Sequence, residues 1–196
     1  MTVALPGVYR MTFQDWLEFP DDGHLYEIVE GELYVAPPPN VEHQRITREI
    51  ESRLLLFLRA AGLGEIFYAP MGVRLTDDDV LEPDLVVVLK EHADRIGKQV
   101  IEGAPDLVVE VLAPGTAKRD LGMKRELYQA VGVREYWIVD PESRSIEVLM
   151  LDGGRYTRSG LFRVADILTC RLLPGFELEL AEVFPPLSSA GPSSRR

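Results

Sequence analysis

Two apolar stretches of the sequence each begin with a Pro-Asp pair, and only the second contains a carboxylate inside its apolar run. The first is PDLVVVL at 83–89, in which Asp84 is the second residue. The second is DLVVEVL at 106–112, in which Glu110 follows three apolar residues. An ionised carboxylate in an apolar strand costs several kcal/mol unless a cation or a metal ion pairs with it. We therefore expect Glu110 to face a positive partner.

The helix predicted after Glu110, ending at about Val131, supplies such a partner. Its inward face should carry residues at spacings of four and three: Ala117, Leu121, Lys124, Tyr128 and Val131. Lysine rarely occupies a core-facing position unless its ammonium reaches an acid, which makes Lys124 the expected partner. Asp120 lies one turn before it. The competing interpretation is a lysine at the helix edge whose ammonium reaches solvent.

Two carboxylates from neighbouring strands and one inward lysine form a coherent hydrolytic site. Asp84 and Glu110 can hold a Mg²⁺ ion, with Mn²⁺ as the expected substitute. The ion would lower the pKa of a bound water and offset phosphate charge. Lys124 would either orient the attacking water or stabilise developing negative charge. Asp106 competes with Asp84 because it shares a strand face with Glu110. Four residues of strand span about 13 Å, however, which is too far for one small ion.

Positioning these side chains requires a mixed sheet flanked by helices. The sequence predicts a short helix over 12–19, a hairpin over 26–36 that turns at Glu30-Gly31, and a long helix from an Asn40 cap to about Ala61. Strands are predicted at 65–69, 71–75, 83–89, 106–112, 135–140 and 145–151, followed by an antiparallel meander. The expected fold class is therefore α/β (α+β).

Length and composition restrict the possible classes of protein. The 196 residues fit a single domain, expected over 1–186, with a disordered tail at 187–196. We expect no membrane span and no signal peptide, and the lone Cys170 suits a reducing cytoplasm. The net charge of −11 argues against broad affinity for the nucleic-acid backbone, although it permits a local basic patch.

The motifs as a set resemble the Uma-type family, bacterial proteins classed as restriction endonucleases. The similarity covers roughly residues 11–160 and is carried by YEIVEGELYVAPPPNVEHQ, EPDLVVV and APDLVVEVLAPGTAKRDLGMKRELYQAVGVREYWIVDPE. Asp84 and Glu110 look like the two acids of the PD-(D/E)XK nuclease pattern, and the resemblance implies a restriction endonuclease-like fold. The lysine of that pattern would stand at Leu112. Its absence there implies a lysine that has moved to the adjacent helix, which matches Lys124. Ala113 stands where we expect the family to have serine.

The resemblance also assigns supporting residues. His43, in the family-like NVEHQ string, would contact the phosphate or transfer a proton, although a histidine that simply packs on the sheet is an equal alternative. Glu27 and Asp120 would support the site from its periphery. Four basic residues, three of them in the later helix, are candidates for a rim that contacts nucleic-acid phosphates: Lys118, Arg119, Arg125 and Arg134. A solvated helix face is the ordinary interpretation of such a run.

The sequence therefore predicts a magnesium-dependent DNA endonuclease that hydrolyses phosphodiester bonds, acting as a homodimer or a higher homo-oligomer. One alternative is a nuclease-fold protein that binds DNA or assembles with partners and has weak or no catalytic activity. A further alternative treats Asp84, Glu110 and Lys124 as a buried salt-bridge triad in an unrelated domain.

Overall fold

The structure is a computed structural model that describes residues 9–115 and 117–184, without the side chain of Lys118. The strands, in chain order, are β1 Leu25–Val29, β2 Glu32–Ala36, β3 Gly64–Tyr68, β4 Val73–Arg74, β5 Val80–Leu81, β6 Leu85–Leu89, β7 Ile101–Glu102, β8 Leu107–Val111, β9 Glu135–Asp140, β10 Ser145–Asp152, β11 Arg155–Arg163, β12 Ile167–Thr169 and β13 Glu177–Glu179. The helices are α1 Phe13–Trp16, α2 Val41–Ala61, a 3₁₀ helix at Lys90–Arg95, α3 Ala117–Arg119, a π-helical turn at Asp120–Lys124, α4 Arg125–Val131 and α5 Leu180–Val183.

The main sheet has six strands in the order β11-β10-β9-β8-β6-β3. β8 runs parallel to β9 and antiparallel to β6, with Leu85 opposite Val109. The beginning of β6 therefore lies beside the end of β8. One step further along the same register, Asp84 comes opposite Glu110. The two Pro-Asp strands are interior neighbours, and the expected mixed α+β architecture is confirmed.

Both faces of the main sheet are covered, which explains why its central strands are apolar on both sides. The inward stripe of α2 packs on one face, as its helical spacing predicts, through Ile46, Ile50, Leu54 and Leu58. On the opposite face, Val86, Val108 and Tyr136 belong to one buried cluster with Tyr128 of α4. Glu110 follows Val108 by two residues in β8, so strand alternation places it on the α4 side.

A second sheet, in the order β2-β1-β5-β4-β7, carries the N-terminal hairpin. The turn between β1 and β2 has positive φ angles at both residues, 50° at Glu30 and 77° at Gly31. This is the two-residue geometry that matches the twist of a hairpin, and glycine adopts it without strain. The predicted hairpin is confirmed, and it brings Glu27 into the interior with 1% of its surface exposed.

The segment 117–131 is helical, but its middle is a π-helical turn rather than α-helix. The prediction that Leu121 faces inward was wrong: Leu121 is 46% exposed, whereas Asp120 is 2% exposed. A π turn is wider than an α turn, so the buried positions become Asp120, Lys124 and Tyr128 at a constant spacing of four. The hydroxyl of Tyr136 donates to the backbone carbonyl of Asp120 at 3.1 Å and anchors the turn.

Other boundaries differ from the sequence predictions by a few residues. α1 ends at Trp16 rather than near Phe19, and the strand predicted at 71–75 is the two-residue β4. The tail predicted at 187–196 lies outside the described residues. Within the described ranges, no helix is long and apolar enough to cross a membrane.

Candidate active site

The buried ammonium of Lys124 is the centre of the site. Its Nζ lies 2.7 Å from Oε1 of Glu27, 2.9 Å from Oε1 of Glu110 and 3.3 Å from Oδ1 of Asp120. Burial alone would lower the pKa of Lys124. The surrounding carboxylates, Glu110 foremost, outweigh burial and raise that pKa well above its usual value. Lys124 is therefore inward-facing and positively charged, as predicted.

Glu110 is 4% exposed and shares the Lys124 ammonium with other acids. Its Oε1 also accepts a hydrogen bond of 2.8 Å from the hydroxyl of Tyr128. Burial raises the pKa of Glu110 to about 8 even though Lys124 opposes the shift, and the charges of Asp120 and Asp84 add to the increase. Burial and Glu110 also raise the pKa of Tyr128 well above its usual range, so its hydroxyl keeps the proton that it donates.

Asp84 lies at the mouth of the same space. Its Oδ2 accepts a hydrogen bond of 2.7 Å from the backbone N–H of Val111, which fixes it beside the end of β8. Nε2 of His43 is 3.3 Å from the same oxygen. Asn40 caps α2 by accepting from the His43 N–H, and this places the ring over the sheet end. Burial lowers the pKa of His43, but the hydrogen bond and charge of Asp84 outweigh burial and raise it overall.

Asp106, the competitor of Asp84, lies at the other end of β8. Its carboxylate accepts from the backbone N–H of Leu89 at 2.8 Å and lies 2.8 Å from Nδ1 of His92 and 3.1 Å from a guanidinium nitrogen of Arg134. Glu91 pairs with the same guanidinium nitrogen of Arg134 at 2.6 Å. This separate cluster is satisfied by Arg134 and takes no part in the Lys124 site.

The supporting acids predicted from the sequence, Glu27 and Asp120, both contact Lys124 directly. Glu27 also pairs through Oε2 with Arg119 at 3.1 Å. Arg119 was predicted as part of an exposed phosphate rim. Its side chain is instead only 15% exposed and stacks over the ring of Tyr34, 5.1 Å from the ring centroid. Arg125, also predicted for the rim, is partly buried, and the side chain of Lys118 is outside the described atoms.

Sequence reasoning missed Glu82 and the polar role of Tyr128. Glu82 is 8% exposed, accepts from the Tyr26 N–H at 2.8 Å, and donates its own backbone N–H to Glu27 at 3.2 Å. Burial raises the pKa of Glu82 to about 7. In the sequence, the one indication of a role for Glu82 was that it lies two residues before Asp84, in LEPD. Tyr128 was predicted only as a core residue of the inward stripe.

These groups line a cavity of about 220 Å³. Among the described side chains in its wall, five carboxylates, from Glu27, Glu82, Asp84, Glu110 and Asp120, stand against two permanent cations, Arg119 and Lys124. The cavity has three more carboxylates than permanent cations. Burial is the main cause of the raised pKa values of Glu82 and Glu110, and neighbouring carboxylates add to both. Hard oxygen donors with excess negative charge suit Mg²⁺ or Mn²⁺, so the donor set fits the expected ion.

The chain is similar to a known protein family and to a solved structure. A family model described as "Uma2: Putative restriction endonuclease" matches residues 12–181. The fold is similar to the crystal structure of "a putative nuclease belonging to DUF820" from Anabaena variabilis ATCC 29413, with a TM-score of 0.73 and 18% identity. That similarity covers 89% of this chain and 97% of the other. No curated protein sequence matches this chain.

Proposed function

Because the chain belongs to the Uma2 family, described as "Putative restriction endonuclease", we propose that it is a metal-dependent endonuclease that hydrolyses phosphodiester bonds of DNA. One observation carries the proposal. Asp84 and Glu110, from adjacent strands, share one cavity with the buried ammonium of Lys124. This combination supplies oxygen ligands for a cation and a fixed positive charge for a phosphate.

Asp84 and Glu110 are the residues that would hold a Mg²⁺ or Mn²⁺ ion. Asp84 is oriented by the Val111 N–H and Glu110 by the Tyr128 hydroxyl, so both carboxylates are held before any ligand arrives. A bound ion supplies Lewis-acid stabilisation of phosphate charge and makes deprotonation of the attacking water easier.

The remaining groups of the cavity act on the substrate and on the water. Lys124 can stabilise negative charge that develops on the phosphate, because the surrounding carboxylates raise its pKa well above the usual value and favour the charged ammonium. His43 lies at the mouth, 3.3 Å from Asp84, where its imidazole can hold or release a proton beside an incoming phosphate. Glu27 and Asp120 fix the direction of the ammonium through their ion pairs.

Cleavage of DNA tests the proposed activity. With Mg²⁺ or Mn²⁺, wild type should cut plasmid or single-stranded circular DNA, and Glu110→Gln and Lys124→Ala should both lose that cleavage. The matched control is Lys98→Ala, which removes an exposed lysine away from the cavity. Equal background cleavage by wild type and both cavity variants would rule out the enzyme.

Calorimetry with Mn²⁺ tests the cation site independently of cleavage. Wild type should bind the ion with measurable heat, and Asp84→Asn should weaken that binding strongly because it removes an anionic ligand. A purely structural salt-bridge triad predicts no heat in either protein.

A nuclease fold that binds DNA without chemistry is the second candidate. The observation that favours it is the position of Lys124, whose ammonium is shared by three carboxylates in a manner that also suits a structural ion-pair network. DNA binding without cleavage at any metal concentration would establish this alternative. If the substrate is a duplex that is cut on both strands, two centres are needed, and light scattering should then show a homodimer or higher homo-oligomer.

A further inference from the structure

Three cavities meet at Asp84. Besides the 220 Å³ cavity around Lys124, a cavity of about 660 Å³ and one of about 450 Å³ both have Asp84 in their walls. Pro39 also lines all three, and Gln44 lines the two larger ones. The candidate catalytic carboxylate therefore lies where two further cavities join the one around Lys124.

The largest cavity is lined by aromatic rings. The rings of Phe19 and Tyr26 are tilted against each other, with centroids 5.1 Å apart and planes inclined by 32°, and His24 meets Tyr26 edge-on at 6.4 Å. Nε1 of Trp16 donates to the carbonyl of Tyr26 at 2.7 Å, which fixes the indole in the wall. A side chain at Gly72 would come within 2.6 Å of that indole, so glycine is what allows the ring to sit there.

The charges on the two sides of Asp84 differ. Among the residues that line the aromatic cavity, the described side chains include no lysine or arginine but do include Asp21, Glu82 and Asp84. A phosphate would be repelled there, whereas a neutral planar ring would be accepted. The wall of the 450 Å³ cavity on the other side instead includes Arg45 and Arg48, both on the exposed face of α2, together with Glu51. Arg48 also pairs with Glu49 at 2.8 Å.

We propose that this cleft binds a single-stranded nucleic acid, with an unpaired base stacked in the aromatic cavity. The scissile phosphodiester then lies at Asp84, and the continuing backbone follows Arg45 and Arg48. The proposal rests on the proposed nuclease function and specifies its substrate. A base paired within a duplex is stacked on both sides and hidden from such a cavity, whereas an unpaired base presents its face to aromatic side chains.

Tryptophan fluorescence can detect a base in this cavity. The chain has two tryptophans, and Trp137 is fully buried in the core, so quenching by an added strand reports on Trp16. We would titrate wild type in Ca²⁺ with a mixed-sequence single-stranded oligonucleotide and with its blunt duplex, checking strand integrity on gels. The single strand should quench the fluorescence and bind at least about 10-fold more tightly than the duplex. Equal or tighter duplex binding, or no quenching, would overturn the proposal.

Variants of Tyr26 separate stacking from a structural role. Tyr26→Ala should weaken single-strand binding by about 10-fold, because it removes the ring. Tyr26→Phe keeps the ring and loses only the hydrogen bond of 2.9 Å to Asp22, so it should bind as wild type does. Equal losses in the two variants would mean that the hydroxyl contact, rather than stacking, matters, and would overturn the nucleobase site. Urea unfolding confirms that each variant is folded.

The two proposals fail in different ways. Quenching and tight binding by the single strand, without Mn²⁺ heat and without cleavage, would remove the nuclease but leave the nucleobase site. Metal-dependent cleavage of single strands and duplexes at the same rate, without quenching of Trp16, would leave the nuclease and remove the nucleobase site.

Discussion

The Lys124 ammonium neutralises only part of the negative charge around it. Three carboxylates lie within 3.3 Å of its Nζ, and all of them are buried. Removing one member of a buried ion pair leaves a charge that neither water nor a partner stabilises. The stability of the apoprotein should therefore depend strongly on this one side chain.

Lys124→Met tests that dependence, because methionine keeps a similar unbranched side chain without the charge. We expect the free energy of unfolding of the metal-free protein to fall by about 3–5 kcal/mol, as when one partner of a buried pair is removed. Urea denaturation measures the change, and Lys98→Met at an exposed position is the control. A loss equal to that of the control would contradict the charge network described above.

Among single residues, the sequence revealed those that are charged although the neighbouring positions are apolar. Glu110 in an apolar strand and Lys124 on an inward helical stripe are conspicuous because charged residues are rarely buried without partners. Glu82 was missed because it lies in a polar stretch, LEPD, where a carboxylate is unremarkable. Arg119 was assigned to an exposed rim because its pairing with Glu27 depends on a contact between residues 92 positions apart.

At the scale of elements, the π-helical turn determines which side chains reach the site. It turns Asp120 inward and leaves Leu121 exposed. The hairpin, the long helix α2 and the strand β9 could be predicted because their periodicity and end signals are local. The π turn could not, because the sequence 117–131 is equally compatible with a regular α-helix, and the choice depends on packing against Glu110 and Tyr136.

Deleting Gly122 tests the role of this turn. Removal of one residue should convert it to a regular α-helix and rotate the preceding residues by about 100° relative to Lys124. Asp120 would leave the cavity, which would lose one of its five carboxylates, so Mn²⁺ affinity and DNA cleavage should both fall. Gly122→Ala is the control, because a side chain there meets nothing within 4 Å. Unchanged metal binding after the deletion would show that the turn is dispensable.

A buried carboxylate in β9 gives the fold a pH dependence away from the cavity. Glu135 is fully buried, accepts from Nε1 of Trp137 at 2.7 Å and from the Leu172 N–H at 3.3 Å, and has a pKa raised by burial. A raised pKa means that the folded state binds the proton more tightly. The corresponding stabilisation is full below about pH 4.5 and is lost as the pH rises through the folded-state pKa.

Comparison with Glu135→Gln isolates this effect, because glutamine does not titrate. The unfolding free energy of wild type should decline relative to that of the variant as the pH rises above about 4.5. Urea titrations across the pH range measure the difference, with the exposed Glu177→Gln as control. Parallel curves for wild type and Glu135→Gln, or a relative rise of wild type, would contradict the raised pKa.

At the scale of the whole molecule, the net charge of −11 is partly concentrated in one cavity. A divalent ion that binds only the folded state should stabilise it by about 2.7 kcal/mol at a concentration 100 times its Kd. We expect this gain with Mn²⁺ in wild type and its loss in Asp84→Asn, measured by urea unfolding. NaCl at matched ionic strength is the control, and an equal gain from NaCl would indicate general screening of charge instead.

Lys124 joins parts of the chain that are made at very different times during synthesis. Its ammonium contacts Glu27 from the N-terminal hairpin and Glu110 from the main sheet. A nascent chain lacks this constellation until the ribosome has passed the segment 117–131 and both sheets have docked. A product truncated before Lys124 therefore cannot form this constellation.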